Sequence, residues 1–339
     1  MGDVCGIGPE IAVKALNRAE VYRISRPLIV GNTKVVEKTI RLLESDLKVN
    51  SIGNVEDAKF EYGTIDVFGL DNYDAEAVEF GKVSVVGGKA AYEAIEKVIS
   101  LALKEEIDAT ITGPLNKEAL NLAGYHFNGH TEIYATLTGT KNYSMMLAHG
   151  DLRVVHVSTH VSLRQACDLV KKERVLSVIR IADKAVKSLG IVNPRIAVAG
   201  LNPHSGENGL FGTEEIEEII PAINEAITEG MDVYGPVPPD TVFSKAMGGQ
   251  YDIVVAMYHD QGHIPMKVVG FQMDKETGTW KSVNGVNITL GLPIIRSSVD
   301  HGTAFDQAGK GTASDESLIN AIEYGVNLAI ARKKAREVN

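Results

Sequence analysis

Five short apolar runs punctuate the chain, each closed by a polar cluster, and the first four lead into a helical pattern. They are "RPLIVG" before "TKVVEKTIRLLES", "IDATITGP" before "NKEALNLAG", "LRVVHVSTH" before "LRQACDLVKKERVLSVIRIADKAVKSLG", "RIAVAGLNP" before "TEEIEEIIPAINEAITEG", and finally "YDIVVAMYHDQG". The runs are apolar throughout rather than alternating, so both faces of each strand must be buried. That pattern predicts an α/β fold with a mostly parallel sheet covered by helices. The polar clusters "TGPLNK", "STH", "LNPHSGENG" and "YHDQG" all fall at the carboxyl ends of these strands. Open α/β sheets bind ligands at that edge, so the clusters are expected to converge on one crevice.

A chain of 339 residues can bury a large core and favours two lobes over one. The net charge of −10 opposes nonspecific binding to nucleic acid or to anionic membranes, so an anionic ligand must be held by local basic groups. Cys5 and Cys167 lie far apart without metal or redox spacing, which argues against a disulfide framework and fits a cytoplasmic protein. No run approaches the roughly 18 apolar residues of a membrane span. A secretory leader is not expected, because the N-terminus lacks a basic segment followed by an apolar one.

The opening "GDVCGIGPEIAVKAL" reads as a glycine-rich turn feeding a helix, with Pro9 at its first turn. No stretch carries a dinucleotide-binding fingerprint with its preceding strand and later acidic residue. Residues 272–284, "QMDKETGTWKSVN", read as a surface hairpin around Thr277 and Gly278. Trp280, the only tryptophan, is expected to cover a neighbour there.

His160 in "VSTH", His204 in "LNPH" and His259 in "YHDQG" stand at three strand ends. Imidazole is the commonest nitrogen ligand for zinc and related ions, and a catalytic site takes three protein ligands with one position open. Each ring could equally be a separate hydrogen-bonded histidine. Asp260 either orients His259 or caps a helix, and His263 lines the pocket or packs. Candidate anion-binding groups are His130 and Thr131 at a helix start, Lys267, Asn287 and Arg296. Lys117 is a further cation at a strand end. The segment "DHGTAFDQAGKGTAS" (300–314) reads, by composition, as a loop.

The motifs "GDVCGIGPE", "TGPLNKEAL", "GHTE", "STH", "GLNPHSGENGLFGTEE", "GPVPPDTVF", "AMYHDQGHIPMK" and "GVNITLGLPIIRSSVDHGTA" together resemble the 4-hydroxythreonine-4-phosphate dehydrogenase family, in order from Gly2 to about Ala313. The resemblance implies a two-lobed fold like that of isocitrate and isopropylmalate dehydrogenases, with the active site between lobes. Its implied lobes are 1–125 plus 300–339, and 126–299, the latter carrying metal ligands and dimer contacts. It implies a homodimer, NAD as oxidant, and one divalent metal (zinc, cobalt, manganese or magnesium) on His160, His204 and His259. Substrate-binding positions fall on His130, Thr131, Lys267, Asn287 and Arg296. The loop with His301, Gly302, Thr303 and Asp306 is similar to the one that holds the adenine end of the cofactor in the wider superfamily, although Phe305 replaces its usual proline. Two further departures are a start at the first motif, without the family's opening strand, and a longer 272–284 link.

The implied reaction oxidises a secondary alcohol beta to a carboxylate and then loses carbon dioxide, with Asp260 or Lys117 expected to assist proton transfer. Two substrates have this shape. D-threonate or D-erythronate 4-phosphate is favoured by "PLNKEAL", "VHVSTH", "MDVYGPVPPDTVF" and "HDQGHIPMK", which resemble the catabolic branch, with dihydroxyacetone phosphate as product. The alternative is 4-phosphohydroxy-L-threonine, in vitamin B6 (pyridoxal 5'-phosphate) synthesis. A phosphate acyltransferase, a metallohydrolase and a non-catalytic binding protein are more remote readings.

Overall fold

The structure is a computed structural model. It describes residues 1–273, 275–276, 280–283 and 285–337, with the side chains of 272–273 and 280–283 outside the description. In chain order the strands are β1 (Ile29–Gly31), β2 (Lys48–Ile52), β3 (Thr64–Gly69), β4 (Ala109–Thr112), β5 (Ser144–His149), β6 (Leu152–His156), β7 (Arg195–Ala199), β8 (Asp232–Val237), β9 (Ile253–Ala256), β10 (Phe271–Met273), β11 (Trp280–Val283), β12 (Val286–Leu290) and β13 (Ile295–Val299). The chain divides into two compact units, 1–140 with 292–329, and 141–291 with 330–339.

In the first unit a parallel sheet runs in the order β1-β3-β2, and β13 pairs in parallel with β4. Ile11, Val36, Ile65, Val67 and Leu318 form one apolar cluster under the sheet. The helix Thr33–Leu42 begins where Asn32 accepts from the amides of Lys34 and Val35, and the helix Val85–Leu103 where Ser84 accepts from Gly87. These caps satisfy amides that a helix start would otherwise leave unpaired. The opening motif forms the helix Gly8–Leu16 with Pro9 in its first turn, as its sequence predicts. The unit differs from the expected 1–125 plus 300–339, since 330–339 fall with the second unit. It also takes in 126–140 and 292–299, because β13 is hydrogen-bonded to β4 and the helix His130–Thr138 packs beside Val85–Leu103.

The second unit is built on strands in the order β12-β5-β6-β9-β7-β8. From β6 through β9 and β7 to β8 the pairing is parallel, while β5 runs antiparallel to both of its neighbours, β12 and β6. Only two residues, Gly150 and Asp151, join β5 to β6, and Gly150 takes a φ of 54°. So short a link closes an antiparallel hairpin and cannot make a parallel crossover. All four β9 residues are buried, which is what the unbroken apolar run "IVVA" predicts for a central strand. The long helical pattern after β6 is not one helix. It breaks into Leu163–Asp168 and Lys172–Lys187, where the Lys172 amide turns to the Glu218 carboxylate instead of a preceding carbonyl. β10 pairs antiparallel with β11, as the hairpin reading of 272–284 requires. Thr277, Gly278 and the side chain of Trp280 lie outside the described residues.

No helix among the described residues is long and apolar enough to cross a membrane.

Candidate metal and anion sites

β6, β9 and β7 are neighbours and parallel, so their carboxyl ends leave the same edge of the sheet. The segments bearing His160, His259 and His204 emerge from these three ends in that spatial order. Hydrogen bonds beyond the strands fix each departure. The Val157 amide donates to Ala256 O at 2.8 Å, and Ser158 Oγ to Met257 O at 3.1 Å. The buried Gln261 side chain bridges the other two. Its Oε1 accepts from the Met257 amide at 2.7 Å and its Nε2 donates to Gly200 O at 2.8 Å.

His259 opens the helix His259–Gly270, with Asp260 in the first turn where a carboxylate suits the helix dipole. His259 Nδ1 lies 2.7 Å from Asp260 Oδ1. A carboxylate accepts, so Nδ1 donates and Nε2 of the neutral ring keeps its lone pair for a ligand. The His160 ring stands 5.7 Å away, centroid to centroid, inclined by 47°. His263 stacks on His259 at 3.6 Å and 10°. His263 Nδ1 also donates to the His259 carbonyl at 2.9 Å. Behind it sits His156, with ring centroids 4.8 Å apart, itself donating from Nδ1 to Met145 O at 3.2 Å. Burial pushes the pKa of His156 down to about 4 and that of His263 down to about 3. Both rings are therefore neutral at physiological pH.

His204 does not join this group. Among the described residues no set of three or more His, Cys, Asp or Glu side chains is gathered to hold a metal ion. His204 is exposed, with its ring 6.5 Å from that of Phe211, and residues 204–208 all have positive φ. The segment leading into the loop is held by the buried Glu215 carboxylate. Oε1 accepts from the Leu201 and Asn202 amides at 2.7 Å each, and Oε2 accepts from Asn202 Nδ2 at 2.9 Å. Two imidazoles thus suit a zinc-like ion in donor type and placement, one short of the usual three protein ligands.

The anion-binding candidates divide between the units. In the first, Arg296 on β13 is 3% exposed, donates to Thr112 Oγ1 at 3.0 Å and lies 5.8 Å from the Tyr134 ring centroid. Burial pushes its pKa down to about 10, which leaves it charged. Burial, then the Arg296 charge, hold His130 well below its ordinary pKa, and its Nε2 is out of solvent with no hydrogen bond. Thr131 follows it in the same helix, and Lys117 is exposed at the first turn of the helix Lys117–Leu122. In the second unit Lys267 lies over the Phe271 ring at 4.2 Å, and Asn287 Nδ2 meets Met145 Sδ at 2.9 Å. On the 300–314 segment, His301 Nδ1 donates to Gly302 O at 3.0 Å and the Ile7 amide donates to Thr303 O at 3.0 Å. Thr303 is buried there, and Gly302 and Asp306 are exposed. The loop is thus tied to the opening motif.

Sequence reasoning passes over Glu215, Gln261 and His156. A glutamate among several in "GTEEIEE" and a histidine inside an apolar strand carry no spacing signal.

The fold and these strand-end groups define an α/β protein with an imidazole-rich sheet edge. The family model described as "Pyridoxal phosphate biosynthetic protein PdxA" matches residues 23–325, and the chain belongs to that family. It is 49% identical over 331 residues to D-threonate 4-phosphate dehydrogenase of Salmonella typhimurium, covering 97% of each chain. To the protein of the same name in Cupriavidus necator it is 49% identical, covering 98% of this chain and 96% of that one. The crystal structure of 4-hydroxythreonine-4-phosphate dehydrogenase from Klebsiella pneumoniae is similar, with a TM-score of 0.85 at 43% identity over 97% of this chain and 98% of that one. These relatives are named as dehydrogenases of small phosphorylated compounds.

Proposed function

We propose that the protein is an NAD- and divalent-metal-dependent dehydrogenase that oxidises and decarboxylates D-threonate or D-erythronate 4-phosphate to dihydroxyacetone phosphate and carbon dioxide. The observation that carries this reading is the His160–His259 pair, with His259 oriented by Asp260 at the carboxyl edge of the sheet. The names of relatives at 49% identity support the substrate.

His160 and His259 would hold the ion, and His204 would be the third ligand. The Glu215 clamp fixes the Leu201–Asn202 segment just before His204, and the reading has a second copy of the chain supply that ring, in a homodimer. When bound, the ion would acidify the substrate hydroxyl and polarise the resulting ketone, and NAD would accept the hydride. The chain's own residues do the rest. The groups proposed to bind anions are Arg296, with His130 and Thr131 beside it, in the first unit and Lys267 with Asn287 in the second. His301, Gly302, Thr303 and Asp306 would meet the cofactor. Asp260, which accepts from His259 Nδ1, and Lys117 remain the two candidates to assist proton transfer.

The test is to follow NADH absorbance with the purified protein, both candidate substrates and added zinc, cobalt or manganese. Turnover should be abolished by chelation and fastest with the threonate or erythronate phosphate. Faster decarboxylation of 4-phosphohydroxy-L-threonine would move the protein to vitamin B6 synthesis. No NADH with any of them would remove the reading.

A further inference from the structure

We propose that His263 is a positioning residue that locks the plane of the His259 ring, so that His259 Nε2 is presented to the metal in a fixed direction. The inference rests on the metal reading above and goes beyond it, since His263 itself donates nothing to the ion.

A histidine at a half-buried helix start samples several χ1 and χ2 rotamers, and fixing one costs conformational entropy each time a ligand binds. The Asp260 contact constrains one point of the His259 ring, Nδ1, and leaves the ring free to pivot about that hydrogen bond. The face of His263, 3.6 Å away and within 10° of parallel, blocks the pivot. His263 is one helical turn on, so both rings ride on the same segment, as side chains four residues apart do.

His263 is itself immobilised. Its Nδ1 donates to the carbonyl of His259, a bond that ties the second ring to the first residue's backbone. It is buried, and the His156 ring lies 4.8 Å from it, centroid to centroid. His156 is anchored to Met145 O and pressed by the helix at Gly262, where even a methyl group would fall 2.3 Å from Nε2. The result is a continuous line of three imidazoles from the strand β6 to the surface, in which only the outermost meets the ion. A preorganised ligand of this kind binds more tightly because little order remains to be imposed, and partners that orient a metal-bound histidine are typically worth about 10–100-fold in affinity.

Three variants separate the two contacts. His263→Phe keeps the flat face and loses the donor, His263→Asn keeps a donor and loses the face, and His263→Leu loses both. Co(II) affinity is measured by equilibrium dialysis on the metal-free full-length protein, with the visible Co(II) spectrum as a second readout and thermal unfolding as the check on folding. Phe and Asn should each weaken Co(II) binding about tenfold and Leu about a hundredfold, with a broadened spectrum. A purely structural His263 would lower the unfolding temperature and leave affinity and spectrum alone, and that result overturns the proposal. Should the Leu variant not fold, wild-type Co(II) binding by both Phe and Asn has the same force. If the wild type binds no Co(II), or His259→Ala binds it equally well, the metal reading falls and this one with it. Wild-type binding with unaffected His263 variants removes this inference alone.

Discussion

The carboxamide of Gln261 spans two strand ends, accepting from the Met257 amide at 2.7 Å and donating to the Gly200 carbonyl at 2.8 Å. One buried side chain thereby couples the departure of the His259 segment from β9 to that of the His204 segment from β7.

Replacing Gln261 by Leu strands one amide and one carbonyl in the interior, at about 1–3 kcal/mol for each. Urea unfolding should show that loss. Gln261→Glu sets a carboxylate oxygen against the Gly200 carbonyl. Its deficit should therefore be larger at pH 8 than at pH 5, where the acid can protonate and donate. Equal stability of the Glu variant at both values would count against the bridge.

Glu215 makes a separate prediction. Its carboxylate accepts from two backbone amides and one side-chain amide of the segment preceding His204. Hydrogen bonds to a charged acceptor contribute about 1.5–3 kcal/mol apiece, so Glu215→Ala should lose more than about 3 kcal/mol. Hydrogen exchange should localise the damage, with the Leu201 and Asn202 amides exchanging far faster than those of β7. Uniform acceleration across the unit would show a general core defect instead.

At Gly262 the expected sign runs against helix propensity. Alanine in a helix interior is favoured over glycine by about 1 kcal/mol. An alanine methyl here would lie 2.3 Å from His156 Nε2 and 2.7 Å from Val154 Cγ1. Gly262→Ala should therefore destabilise by about 1–3 kcal/mol, the usual cost of overpacking. A stabilised variant in thermal unfolding would mean the helix sits more loosely on β6 than described.

Asp3 supplies the pH dependence. It is fully buried, and desolvation lifts its pKa to about 6 from an ordinary 3.8, although the Cys5 amide donates to it at 2.9 Å. Between those values the unfolded chain releases the proton while the folded chain retains it. Its contribution is favourable at low pH and is lost as pH rises to about 6, at about 1.4 kcal/mol per pH unit. Asp3→Asn should be more stable than the wild type at pH 7, with the advantage gone by pH 4. Parallel stability–pH curves for the two proteins would refute the assignment.

The strands were legible because burial on both faces leaves an unbroken apolar run, as in "IVVA" and "RIAVA". The helix after β6 was legible in its periodicity but not in its break, since the partner of the Lys172 amide is Glu218, far along the chain. Type and position of His160 and His259 were readable from their place at strand ends. Their adjacency is set by the β6-β9-β7 order, which no local pattern encodes. His130 and Arg296 come together for the same reason, through elements well separated in sequence. The clamp at Glu215 and the bridge at Gln261 are invisible beforehand because both act on backbone atoms, and any residue type could have carried those amides and carbonyls.

The spacing between the His160, His259 and His204 segments is set by three hydrogen-bonded strands, about 4.8 Å from one to the next, and not by the length of chain between them. Evolution can therefore lengthen, shorten or rewrite the crossover helices on the flanks without moving His160 and His259 apart. A one-residue slip in β9 against β6 would carry His259 out of line at once. Variation should accumulate in the crossovers, while strand register stays under purifying pressure.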